Sequence, residues 1–368
     1  MIKDTPLEPE RALFQGPVTL RNLSSRLAVG DYIKDEEIIS LLNEQILAPF
    51  RYAQDSLWGI PRKTTGEPAF CHSADIAIRA FDLDYPAYTL KVCLLHDVVE
   101  ELSKSPGEFY RHIRKIASEF GQDMAQDVRI LTNRYTLILG SLKGRTLQSL
   151  PFEQNSLDVV RDAVARLANS VSSSCRELFQ YEFDRILNCF FHRVDLSKGA
   201  KKAKFDKKYS ALDEIILQSY MLYIEEINDD AYRREGSGFC ETPLVVKFLD
   251  MVDNLRTSEI GNWAVIEKIL LKCEMALDKS FYLHHHICKE GFHETSFILL
   301  YDYLKYNLVE QLHERRRALS FLADTRFGYL ADYLDMQIGR LQEKYQVSQS
   351  LVEGIAHIRN EIKKKNLR

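Results

Sequence analysis

Two imidazoles and two carboxylates, His72, His96, Asp97 and Asp250, are the side chains of this sequence best suited to hold a divalent cation. Their nitrogen and oxygen donors are hard to borderline in character. They suit Mn2+, Fe2+, Zn2+ or Mg2+, with positions left open for water and substrate. No thiolate joins the set, which argues against a closed structural zinc site. His96 and Asp97 lie toward the end of a helical run, 86–102, in which Leu90, Val92, Cys93, Leu94 and Leu95 leave little polar face. Such a run is buried, and burying the carboxylate is costly unless a partner compensates it. A cation would be that partner. A core His–Asp pair satisfied by hydrogen bonds is the plainer alternative.

Two further features favour the cation. His72 sits on a helical segment whose apolar positions Ile76, Ala80 and Phe81 make it a neighbour of the core. In the helical segment Thr242–Thr257, Lys247, Asp250 and Asn254 recur at i, i+3 and i+7 and share one face. They interrupt Leu244, Val245, Phe248, Leu249, Val252 and Leu255, which would otherwise wrap that helix in apolar surface. A polar stripe in such surroundings needs a partner, and a metal with a phosphate is one. Glu100 follows Asp97 by one turn, where a carboxylate could reach a water held at such a site.

Four blocks, in order, resemble the HD-domain hydrolases, and within them the Rel/Spo-type hydrolases of the guanosine alarmones (p)ppGpp. Arg62-Lys63-Thr64-Thr65-Gly66-Glu67-Pro68 before His72 is similar to the family's basic loop ahead of its first histidine. His96-Asp97-Val98-Val99-Glu100-Glu101 resembles HDVVED, and Glu119-Phe120-Gly121 with Val128, Leu131 and Thr132 resembles the helix pair that follows. Lys247-Phe248-Leu249-Asp250-Met251-Val252-Asp253-Asn254-Leu255-Arg256-Thr257 resembles KLADRLHNMRT, with Asp253 standing where the family carries a histidine. The resemblance covers roughly 40–135 and 240–258. It implies a helical phosphohydrolase in which His72, His96, Asp97 and Asp250 hold the metal, Mn2+ by preference. Glu100 and Glu101 then position or deprotonate the attacking water. Arg62, Lys63, Asn254 and Thr257 face the nucleotide. A planar, charged guanidinium at Arg62 suits a purine ring better than lysine would.

The elements that must position these groups are helical throughout. Gly and Pro are sparse, at 16 and 10 of 368 residues, and strand-like alternation is rare. Helices are expected at about 36–57, around His72 as far as Asp82, at 86–102, from Ser105-Pro106 to Phe120, at 122–133 and at 243–257, with helix nearly to the end beyond 262. Ser105, Pro106 and Glu108 have the form of a capping box. The expected fold class is all-α, an HD-domain helical bundle at 36–258 after an N-terminal segment 1–35, with a helical insertion at 136–240 and a helical C-terminal extension at 259–368. The stripe Phe297, Leu300, Leu304, Leu308 and Leu312 reads as core or as a seam for homo-oligomers. His284, His285 and His286 point to different helix faces and make a poor ligand set.

Composition sets the outer bounds. A net charge of −4 gives no general attraction for polyanions, so a small phosphorylated nucleotide is the expected partner and duplex nucleic acid is not. Seven scattered cysteines without a C-x-x-C pair read as reduced thiols. No basic-then-apolar leader opens the sequence and no window is apolar enough for a bilayer span, which predicts a cytoplasmic protein without membrane contact. Two other functions fit the same residues: an HD hydrolase of a different nucleotide or phosphoester, and a catalytically inactive HD module that binds and regulates.

Overall fold

Helical periodicity in the sequence becomes helix in the structure. The computed structural model describes residues 44–62, 66–83, 85–135, 211–233, 241–258, 263–289, 296–321 and 328–347. Lys63, the segment 1–35 and most of 136–240 lie outside the described residues. Among the described residues every regular element is an α-helix, and strand-like pairing is limited to an isolated antiparallel bridge between Pro61 and Pro68. The fold is all-α. No helix among the described residues is long and apolar enough to cross a membrane.

The chain divides into two compact units. One comprises Met1–Pro61 and Glu67–Val246, the other Arg62–Gly66 and Lys247–Arg368. In the first lie α1 (Glu44–Leu57), α2 (Ala69–Asp82), α3 (Ala87–Leu95), α4 (Val98–Leu102), α5 (Pro106–Phe120), α6 (Gln122–Leu131) and α7 (Ala211–Arg233). Helix α3 is the centre of this unit and packs against α1, α2 and α6. Thr89, Leu90, Val92, Cys93, Leu94 and Leu95 are all buried, as expected of a helix apolar on every side. Phe50 of α1 meets Phe70 of α2 edge to face at 4.9 Å between ring centroids. Helix α7, the described part of the 136–240 stretch, is tied to the end of α6. Tyr223 donates to the Leu131 carbonyl and Arg134 pairs with Glu226.

Local signals explain the helix ends. The Ser105 hydroxyl accepts the Glu108 N–H at 3.3 Å, with Pro106 in the first turn, while Glu108 reaches back to the Lys104 N–H at 2.8 Å. Gly121, at φ +96°, separates α5 from α6 in a conformation that side chains with a Cβ rarely adopt. The expected single helix 86–102 is instead two, with His96 and Asp97 between them. His96 Nδ1 lies 2.7 Å from the Cys93 carbonyl, the acceptor an unbroken helix would offer to the Asp97 N–H. A side chain that takes a ladder carbonyl loosens the turn at that point.

In the second unit, α8 (Thr242–Thr257), whose first turn belongs to the first unit, is followed by α9 (Trp263–Lys289), α10 (Ser296–Phe321) and α11 (Gly328–Tyr345). Helices α9, α10 and α11 pack in sequence, α9 on α10 and α10 on α11. Leu304, Leu308 and Leu312 are fully buried within the chain, so this part of the expected stripe is core. Arg340 clasps the Glu274 carboxylate, and Lys344 and Tyr345 hold Asp278 at 2.7 and 3.0 Å, fastening α11 to α9. Arg315 of α10 is buried and donates to the carbonyls of Leu255 and Ser258 and to the Ser258 hydroxyl, closing the C-terminal end of α8.

Candidate metal centre

Helix α2 is anchored by Phe70, Cys71, Ala74, Ile76 and Ala80, and the same burial draws in His72, which is 4% exposed. Helix α3, packed along α2, ends immediately before His96, itself 3% exposed. Apolar packing of two helices therefore sets two imidazoles side by side, with ring centroids 5.5 Å apart. Asp97 follows in the interhelical turn and keeps a quarter of its side chain open to solvent, at 26%.

The donor atoms converge. His96 Nε2 lies 3.1 Å from Asp97 Oδ1 and His72 Nε2 lies 3.6 Å from Asp97 Oδ2. One donor atom from each of the three residues falls within 4.8 Å of the others. The second distance exceeds a normal hydrogen bond, which argues against a closed His–Asp pair at His72. Two donors bonded at ~2.1 Å to one ion lie about 3.0–3.6 Å apart when the angle between them is roughly 90–120°. Each spacing, taken to its own carboxylate oxygen, falls in that range. The Cys93 carbonyl accepts from His96 Nδ1, which fixes the ring and turns Nε2 toward Asp97. His72, His96 and Asp97 can hold a metal ion, and the open side at Asp97 is what a site that admits water and substrate requires.

Glu100 stands on α4, one turn past Asp97, where its Oε2 accepts the Asn133 N–H at 3.0 Å. That anchor comes from beyond α6, and nothing in the order of the residues points to it. Glu101 is exposed, and its N–H donates to the Asp97 carbonyl at 2.9 Å. The thiol of Cys93 is pushed well above the usual range by burial and is no ligand.

Four other expected site residues belong to the second unit: Arg62, Asp250, Asn254 and Thr257. The polar stripe of α8 is as its spacing predicts. Asp250, 6% exposed, takes Lys247 Nζ on one oxygen and Asn254 Nδ2 on the other, each at 2.5 Å. Its charge also adds to burial in pushing the Cys273 thiol up to about 12. Thr257 donates its hydroxyl to the Asp253 carbonyl at 2.9 Å, a bond along its own helix. Arg62 donates to Asn254 Oδ1 at 3.1 Å and pairs with Asp253 Oδ2 at 3.4 Å. The sequence marks Asp253 as a departure from the family's histidine but gives it no place in the site. The available signal was a second carboxylate beside Asn254 in a helix otherwise apolar at these positions. No protein-family model, no curated protein and no solved structure matches this chain, so the chemistry of the centre rests on its own donors.

Proposed function

We propose that this chain is a metal-dependent phosphohydrolase that removes the 3′-pyrophosphate of guanosine alarmones, (p)ppGpp, or of a related nucleotide. The observation that carries the reading is the convergence of two buried imidazoles on the partly open carboxylate of Asp97. The four sequence blocks that resemble HD-type alarmone hydrolases supply the substrate class. Their last block nominates Asp250 as a further ligand.

A divalent cation at His72, His96 and Asp97, Mn2+ as first choice, supplies Lewis acidity that lowers the pKa of water and offsets phosphate charge. Glu100, steadied by the Asn133 N–H, is the base that orients the attacking water and takes its proton. Water oxygen bonds to the phosphorus attached at the 3′ position, and the bond from that phosphorus to the 3′ oxygen breaks. Pyrophosphate leaves and the 3′ oxygen regains a proton. Arg62 and Asn254 contact the nucleotide.

The test offers ppGpp to the purified, Mn2+-loaded chain and follows GDP and pyrophosphate by chromatography. Release of both, lost in Asp97→Asn and in Asp250→Asn, is the expected result. Turnover of a different phosphoester with the same losses would replace the substrate and keep the reaction class. Binding without turnover of any nucleotide would make the chain a regulatory module and overturn the proposal.

A further inference from the structure

We infer that Asp253 is a positioning residue, one that holds the guanidinium of Arg62 in the orientation in which Arg62 meets a nucleotide; this rests on the proposed role of Arg62. The pair is built rather than incidental. Asp253 has a side chain 1% exposed and Arg62 one 10% exposed, so the charges face each other largely out of water. Next to Arg62, Pro61 bridges Pro68 and the Ile60 carbonyl accepts the Ala69 N–H at 2.7 Å. Gly66, at φ +77°, turns back so that its N–H reaches the Arg62 carbonyl at 2.9 Å. The backbone that carries Arg62 is thus pinned, and its side chain is fastened by α8.

The geometry of the fastening matters. One terminal nitrogen of Arg62 goes to Asp253 and the other to the Asn254 carbonyl oxygen. Both contacts are made at the edge of the guanidinium, where its N–H groups point. An edge held by two acceptors orients the plane of the guanidinium. Fixing that plane beforehand removes ordering cost from ligand binding. Asn254, held by its own Nδ2 on Asp250, offers Arg62 a neutral oxygen, whereas Asp253 supplies the charge that pairs with the guanidinium. The motif that α8 resembles has histidine at this place, so the pair is a feature of this chain.

An oriented ground-state contact acts on binding and not on the chemical step. Asp253→Asn is therefore expected to raise KM for ppGpp about tenfold and leave kcat within about twofold. Calorimetric affinity of the Mn2+-loaded full chain for ppGpp should fall by the same factor. Arg62→Ala should raise KM similarly, and adding Asp253→Asn to it should change KM little further. Arg62→Lys keeps a positive charge beside Asp253 without the planar fork. It should retain the melting temperature yet fail to restore KM, and it serves where Asp253→Asn folds poorly. An unchanged KM and affinity in Asp253→Asn, or full recovery by lysine, would show a purely structural ion pair and overturn the inference. Wild-type binding weakened by Asp253→Asn, with no turnover, would sustain the inference and defeat the hydrolase proposal. Absence of wild-type binding would overturn both.

Discussion

At the scale of single residues, the account turns on which buried polar groups are compensated and by what. His72 and His96 are nearly sealed from solvent, and their Nε2 atoms share the Asp97 carboxylate at spacings that fit a bridging ion. Loss of groups that merely orient a metal ligand lowers affinity about 10–100-fold. Removing a ligand should do more, so His72→Ala and His96→Ala should each weaken Mn2+ binding by over ~100-fold by calorimetry. The Arg62–Asp253 pair predicts an asymmetry in stability. Arg62→Ala removes the Arg62 partner of a buried carboxylate and should lower stability by about 2 kcal/mol, whereas the double variant Arg62→Ala, Asp253→Asn should recover part of it, both read by urea unfolding. The histidines and Asp97 were legible in the sequence because their motif is local and lies in an apolar context. Arg62 and Asp253 lie 191 positions apart, and no periodicity links a loop residue to a helix face at that distance.

At the scale of elements, the helices follow from spacing and end where the local chemistry ends them. Ser105 caps α5, and Ser105→Ala should lower stability by about 1 kcal/mol in thermal unfolding. The polar face of α8 was readable because Lys247, Asp250 and Asn254 recur at helical intervals, and the same intervals bring their side chains into contact. The division of 86–102 into α3 and α4 was not readable. It depends on His96 Nδ1 reaching the Cys93 carbonyl, a choice between side-chain and backbone donors that residue types leave open. The capping of α8 by Arg315 was equally hidden, since it comes from a helix later in the chain. Arg315→Met leaves helix-end oxygens buried without their donor and should lower stability by about 2 kcal/mol, again by urea unfolding.

At the scale of the whole molecule, the all-α class was legible from sparse glycine and proline and from pervasive helical periodicity. The two compact units were less so, because their division runs through α8 and assigns the Arg62–Gly66 loop to the later part of the chain. A cation that binds the folded chain alone must stabilise it by mass action. Mn2+ at about 100 times its dissociation constant should add ~2.7 kcal/mol, and a chelator should reverse the gain. The central claim is that His72, His96 and Asp97 together hold one divalent ion, and counting bound Mn2+ by electron paramagnetic resonance tests it most directly. The account predicts one tightly bound ion per wild-type chain and none in a folded His72→Ala, His96→Ala variant. Equal occupancy in that variant, or no tight ion in the wild type, would contradict it.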